Sequence, residues 1–185
     1  MKRILFALTA LVLVIGTVGA GTFAYFSDTE TSSGNTFAAG TLDLKVGNEN
    51  PNESPDFTIG DVKPGDSGTI TYTLTNLGTI AGYIDLSGIS VSDSEGTNPE
   101  SETGSLGDPG ELSQNINVNV KVGTQTVYEG LLKNIASSYD VDAALGAGDE
   151  TTLTIEWSVP TSVGNEIQGD TVTVGLTIEL DQTAD

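Results

Sequence analysis

Apolar and polar residues alternate with a period of two along most of this chain, the pattern of strands with one buried and one wet face. Leu42, Leu44 and Val46 alternate with Thr41, Asp43 and Lys45. Ile70, Tyr72 and Leu74 share one face while Thr69, Thr71, Thr73 and Thr75 share the other. The pattern returns in Ile116, Val118, Val120 and Val122, in Leu153, Ile155, Trp157 and Val159, and in Val172, Val174, Leu176, Ile178 and Leu180. The last two runs are expected to anchor the core, with Trp157 in it as a core aromatic.

The segments between these runs carry turn and loop chemistry. Residues 47–56, GNENPNESPD, form a loop before a short strand from Phe57 to Ile59, and Pro64-Gly65-Asp66 turns the chain into the Thr69 strand. Asn76-Leu77-Gly78 breaks that strand, and Ile80 to Leu86 is expected to follow as its partner. Gly123-Thr124 joins the Ile116 run to Gln125–Leu131 as a hairpin. Two segments lack the alternation. Ser87 to Leu112 is expected to be a surface excursion, or a loop organised by a cation on its acids, although no EF-hand spacing is present. Leu132, Ile135, Ala136, Tyr139, Ala143 and Ala144 fit a helical face, which predicts a short helix or turn over one end of the fold. Many short strands and no repeat give an all-β fold, a single antiparallel β-sandwich of jelly-roll-like or Ig-like type.

The residue types narrow the chemistry. There is no Cys and no His, so disulfides, Cys/His zinc sites and His-based acid–base catalysis are excluded. Twenty-six acidic residues against 6 basic ones give a net charge of −20, a field that repels nucleic acid and acidic membranes. A site made from carboxylates alone would take calcium, magnesium or manganese. No cofactor is required, the metal is left unknown, and calcium at acidic loops or subunit contacts is the ion the composition suits. Asn52-Glu53-Ser54 is a sequon, making Asn52 a glycosylation candidate.

The N-terminus does not belong to the fold. Met1-Lys2-Arg3 and the apolar run Ile4–Gly16 have the anatomy of a secretory signal peptide. Small residues permit cleavage after Ala20, before Gly21, or after Ala24, before Tyr25. Either leaves the chain outside the cell and free of the membrane.

Four stretches carry a resemblance: Gly21-Thr22-Phe23-Ala24-Tyr25-Phe26-Ser27-Asp28, Asn35-Thr36-Phe37-Ala38-Ala39-Gly40-Thr41-Leu42-Asp43-Leu44, Lys63-Pro64-Gly65-Asp66 and Gly164-Asn165-Glu166-Ile167-Gln168-Gly169-Asp170. They resemble the TasA/camelysin family of secreted bacterial and archaeal proteins, whose archaeal relatives include bundling pili. The resemblance implies a jelly-roll-like sandwich that polymerises by donor-strand exchange, and it favours cleavage after Ala24. Residues 1–24 are then signal peptide, 25–40 an extended donor segment and 41–185 the sandwich. Tyr25, Phe26 and Phe37 are the expected donor anchors, with the Ser27–Thr31 backbone as the added strand and Gly34-Asn35 as its hinge. The expected function is a non-enzymatic subunit of an extracellular filament, pilus or biofilm-matrix fibre at the cell surface. Its partners would be further copies of itself, the signal peptidase during export, and matrix polysaccharide. A secreted monomeric matrix or carbohydrate-binding module is the alternative.

Overall fold

The structure is a computed structural model, which describes residues 39–48, 55–95 and 110–184. These form two antiparallel sheets facing one another. The first contains β1 (Leu44–Val46), β3 (Ser67–Asn76), β5 (Asn117–Val122), β6 (Gln125–Leu131) and β8 (Glu150–Ser158), in the order β1-β3-β8-β5-β6. The second contains β2 (Phe57–Gly60), β4 (Gly82–Ser94), β7 (Tyr139–Leu145) and β9 (Thr171–Asp181), in the order β2-β9-β4-β7. The all-β sandwich expected from the alternation is therefore the fold.

The core lies where the two inward faces meet. Leu74, Val120, Val122, Leu153 and Ile155 from one sheet pack with Ile84, Leu86, Val141, Leu145, Leu176 and Ile178 from the other. At one end Ile59, Val118, Val172 and Val174 join Leu112 and Ile116 around the single helical turn α1 (Leu112–Asn115). Trp157 is half-buried against this second group and lies across Gly68, where an added Cβ would sit 2.7 Å from the indole. The β5–β6 hairpin forms as expected, with Gly123 at φ 58 in the left-handed region its turn demands.

Three expectations are corrected. Ile80–Leu86 does not partner the preceding strand: β4 crosses to the other sheet and pairs with β7 and β9. Nor does β4 stop at Leu86. It continues to Ser94 through a register shift between Ser87 and Ser90, where Gly88 takes φ 56. The extra residue keeps Ile89 and Val91 packed on the core, so Ser87–Ser94 is strand rather than loop. Finally, Leu132–Leu145 is not a helix but a 3-10 turn (Leu132–Asn134) followed by β7. Val141 and Leu145 are buried on a period of two, which the scattered alanines obscured.

Candidate functional site

β3 is ten residues long, and β8 pairs with it from Ser67 to Thr75. On its other side β1 reaches only Leu74 to Asn76, and Gly47 N–H extends the contact to the Thr73 carbonyl at 2.8 Å. Below that point no described strand pairs with β3. The direction of each backbone group follows from the alternation of an antiparallel ladder. Asn76 N–H bonds Asp149 at 3.1 Å on the β8 side, while Thr73 bonds Gly47 on the β1 side. Even-numbered residues of β3 therefore bond β8, and Ser67, Thr69 and Thr71 aim their N–H and C=O groups at the uncovered side. Their side chains point outward, and Ile70 and Tyr72 lie half-buried behind them.

The second sheet is open too, but toward the opposite end of the sandwich: among the described residues β2 covers β9 only from Thr171 to Val174, at the end where Gly68 of β3 meets Trp157, and Gly175 to Asp181 pair with β4 alone. β6 and β7 approach one another at the far side of the sandwich, so the uncovered stretches of β3 and β9 lie on the same side. Leu44, Phe57, Ile70, Tyr72 and Leu180 are half-buried hydrophobics against the core. Burial, then the charge of Asp56, push the Tyr72 hydroxyl pKa upward. Ladder groups that no described strand pairs, beside apolar side chains, are what a sheet edge presents to a further strand.

The donor side of the expected site falls on Ala20, Gly21, Ala24, Tyr25, Phe26, Gly34, Asn35 and Phe37, which all lie outside the described residues, as does Asn52. The open stretch of β3 was not visible in the sequence, because nothing in Thr69–Thr75 shows how far β1 runs beside it.

Asp85, Asp140 and Asp142 place three carboxylate oxygens within 4.8 Å of one another. Much of this is structural. β7 bulges opposite Asp85, whose Oδ1 accepts the Val141 and Asp142 N–H groups at 2.7 and 2.9 Å in place of ladder bonds. Asp142 takes φ 51 to make the bulge. The donor set is entirely hard oxygen.

A family model described as camelysin metallo-endopeptidase matches residues 1–185. The chain belongs to the camelysin family. At family level it is a secreted, matrix- and fibre-related protein of the TasA/camelysin type. No curated protein matches the chain. No helix among the described residues is long and apolar enough to cross a membrane. The family's description implies a metal-dependent peptidase, so the donor atoms have to be compared with what such a centre needs. Peptidase zinc is held by imidazole or thiolate nitrogen and sulfur with an open position for water. This camelysin-family chain has neither His nor Cys, and its three clustered carboxylates do not fit that centre.

Proposed function

We propose that the mature chain is a structural, non-enzymatic subunit of an extracellular filament, pilus or matrix fibre, assembled by donor-strand complementation. The observation that carries this reading is the uncovered edge of β3, with the Ser67, Thr69 and Thr71 backbone groups facing outward beside half-buried Ile70 and Tyr72. Cleavage after Ala24 frees Tyr25 to Phe37. The Ser27–Thr31 backbone then pairs with β3 of a neighbour, Tyr25, Phe26 and Phe37 supply apolar anchors, and Gly34-Asn35 is the hinge. The donor and the accepting edge are different surfaces, so the contact is heterologous and propagates as a filament.

Chain direction favours a neighbour over self-pairing. β1 runs antiparallel to β3, with Val46 opposite Leu74 and Thr41 beside Thr79 and Ile80. The fold is thus entered at the end of β1 remote from Ser67–Thr71. A segment preceding Ala39 would have to reverse along the whole of β1 to reach its own open edge.

The test is negative-stain microscopy of the mature chain with and without Tyr25–Ala39. Filaments from the intact chain alone are expected, and filaments from both forms overturn the reading. A second reading, a monomeric carbohydrate-binding module, is favoured by a shallow hollow of about 530 Å³ lined by Asn117, Asn119, Glu129, Glu156, Trp157 and Ser158. Monomers that bind matrix polysaccharide would support it.

A further inference from the structure

β7 is an edge strand: β4 pairs with one side of it, and among the described residues no strand pairs with the other. An edge that presents its N–H and C=O groups invites pairing with a second copy. The other terminal strands are short or irregular. β1 and β2 are 3 and 4 residues long, and β6 shifts register against Val120 and Lys121 of β5. β7 has 7 residues, long enough for a contact between strands of two copies.

The middle of β7 is instead closed by side chains. The Val141 and Asp142 N–H groups both turn to Asp85 Oδ1 on β4, at 2.7 and 2.9 Å. In a regular strand successive N–H groups point to opposite sides, so the outer side of β7 lacks a donor here. Asp142 holds this arrangement at φ 51, between the ladder positions where Ala143 faces Ile84 and Tyr139 faces Leu86. The Val141 carbonyl is taken as well: Gln125, the first residue of β6, donates to it from Nε2 at 2.9 Å. The same stretch is charged, with carboxylate oxygens of Asp85, Asp140 and Asp142 within 4.8 Å of one another. A strand laid along it would find backbone partners already bonded and would have to strip water from those carboxylates.

We propose that Asp85 and Gln125 form a cap that closes β7 to strand addition by a second copy. Asp142 sets the bulge that lets one side-chain oxygen serve two N–H groups. The cap directs any added strand to the other side of the sandwich, where stretches of β3 and β9 are open. It acts whether or not copies join by strand donation: in a filament it prevents branching through β7, and in a monomer it prevents pairing of β7 edges.

The test is sedimentation velocity and negative-stain microscopy of the mature chain and its variants at raised salt, with the unsubstituted chain as baseline. Hydrogen exchange read by mass spectrometry locates any new contact. Asp85→Ala combined with Gln125→Ala should associate at about tenfold lower concentration than the baseline, as laterally joined filaments or as oligomers. Exchange in residues 139–145 should be slower in the associated variant than in the same variant diluted. Asp85→Asn keeps an oxygen for both N–H groups and should behave as the unsubstituted chain. Circular dichroism checks folding, and if the double variant is unfolded, Gln125→Ala combined with Asp140→Asn should show the same association with a smaller shift. Folded variants that associate no more readily than the baseline overturn the proposal, as does association that leaves exchange in 139–145 unchanged. Association of Asp85→Asn also overturns it, because charge rather than the hydrogen-bonded cap would then keep copies apart.

Discussion

Asn76 joins three parts of the sandwich through one fully buried side chain. Its Nδ2 donates to the Ile80 and Leu145 carbonyls at 2.8 and 3.3 Å, and its Oδ1 accepts the Gly78 N–H at 2.9 Å. A side chain at Gly78 would collide with the Thr41 carbonyl, so the Asn-Leu-Gly break in the sequence is a fitted corner as well as a strand stop. Asn76→Ala strands these buried partners and should cost about 2–4 kcal/mol in urea unfolding. A loss under about 0.5 kcal/mol would contradict the role given to this corner. Asp66 is a surface counterpart. Its carboxylate accepts from Lys63 Nζ at 2.8 Å and from the Lys63 N–H at 3.1 Å, and these contacts hold its pKa below the usual aspartate value. Because the folded pKa is lowered, what Asp66 contributes is present above the unfolded value and is lost as pH falls through the folded one. An NMR titration should show its midpoint moving toward the ordinary value in Lys63→Met. The Lys63–Asp66 pair lies within the Lys-Pro-Gly-Asp turn of the sequence, whereas the bond from Asn76 to the Leu145 carbonyl spans 69 residues and emerges only from the fold.

Among the elements, β3, β5, β8 and β9 were legible because their inward residues alternate without interruption, and packing follows that alternation. β4 and β7 were obscured for different reasons: a one-residue bulge at Gly88 flips the inward period of β4, whereas β7 keeps its period and hides it behind alanines. Pairing was less legible than strand position, since β4 finds its partners far along the chain. The ladder parity of β3 has its own consequence. Proline is tolerated in a strand where its missing N–H faces an open edge. Thr71→Pro should therefore cost within about 1 kcal/mol in thermal or urea unfolding yet stop filament growth, whereas Ile70→Pro, which removes a bond to β8, should unfold the chain. Equal destabilisation by the two would show that the open edge is assigned to the wrong residues.

At the scale of the whole molecule, charge and polarity of the chain decide how copies can meet. Mature subunits cut after Ala24 lack Lys2 and Arg3, so 26 acidic residues face 4 basic ones and each copy at −22 repels the next. Filaments of the kind proposed need screening or bridging cations, and assembly followed by light scattering should strengthen with added salt or calcium. Assembly unchanged in chelator at low ionic strength would contradict this. The proposed donor segment rests on the motif from Gly21 to Leu44 and lies outside the described residues up to Ala38, whereas the proposed accepting edge emerges only from how little of β3 is covered by β1. The two halves can be joined directly because the chain has no cysteine of its own. Thr29→Cys and Thr69→Cys would be made in separate mature chains, mixed, assembled and oxidised, then separated on a non-reducing gel. Disulfide-linked dimers containing one copy of each variant are expected, with none when either variant is oxidised alone. No mixed dimer, together with an intramolecular disulfide in the doubly substituted chain at high dilution, would show that the segment pairs with its own β3 and would contradict strand donation between subunits.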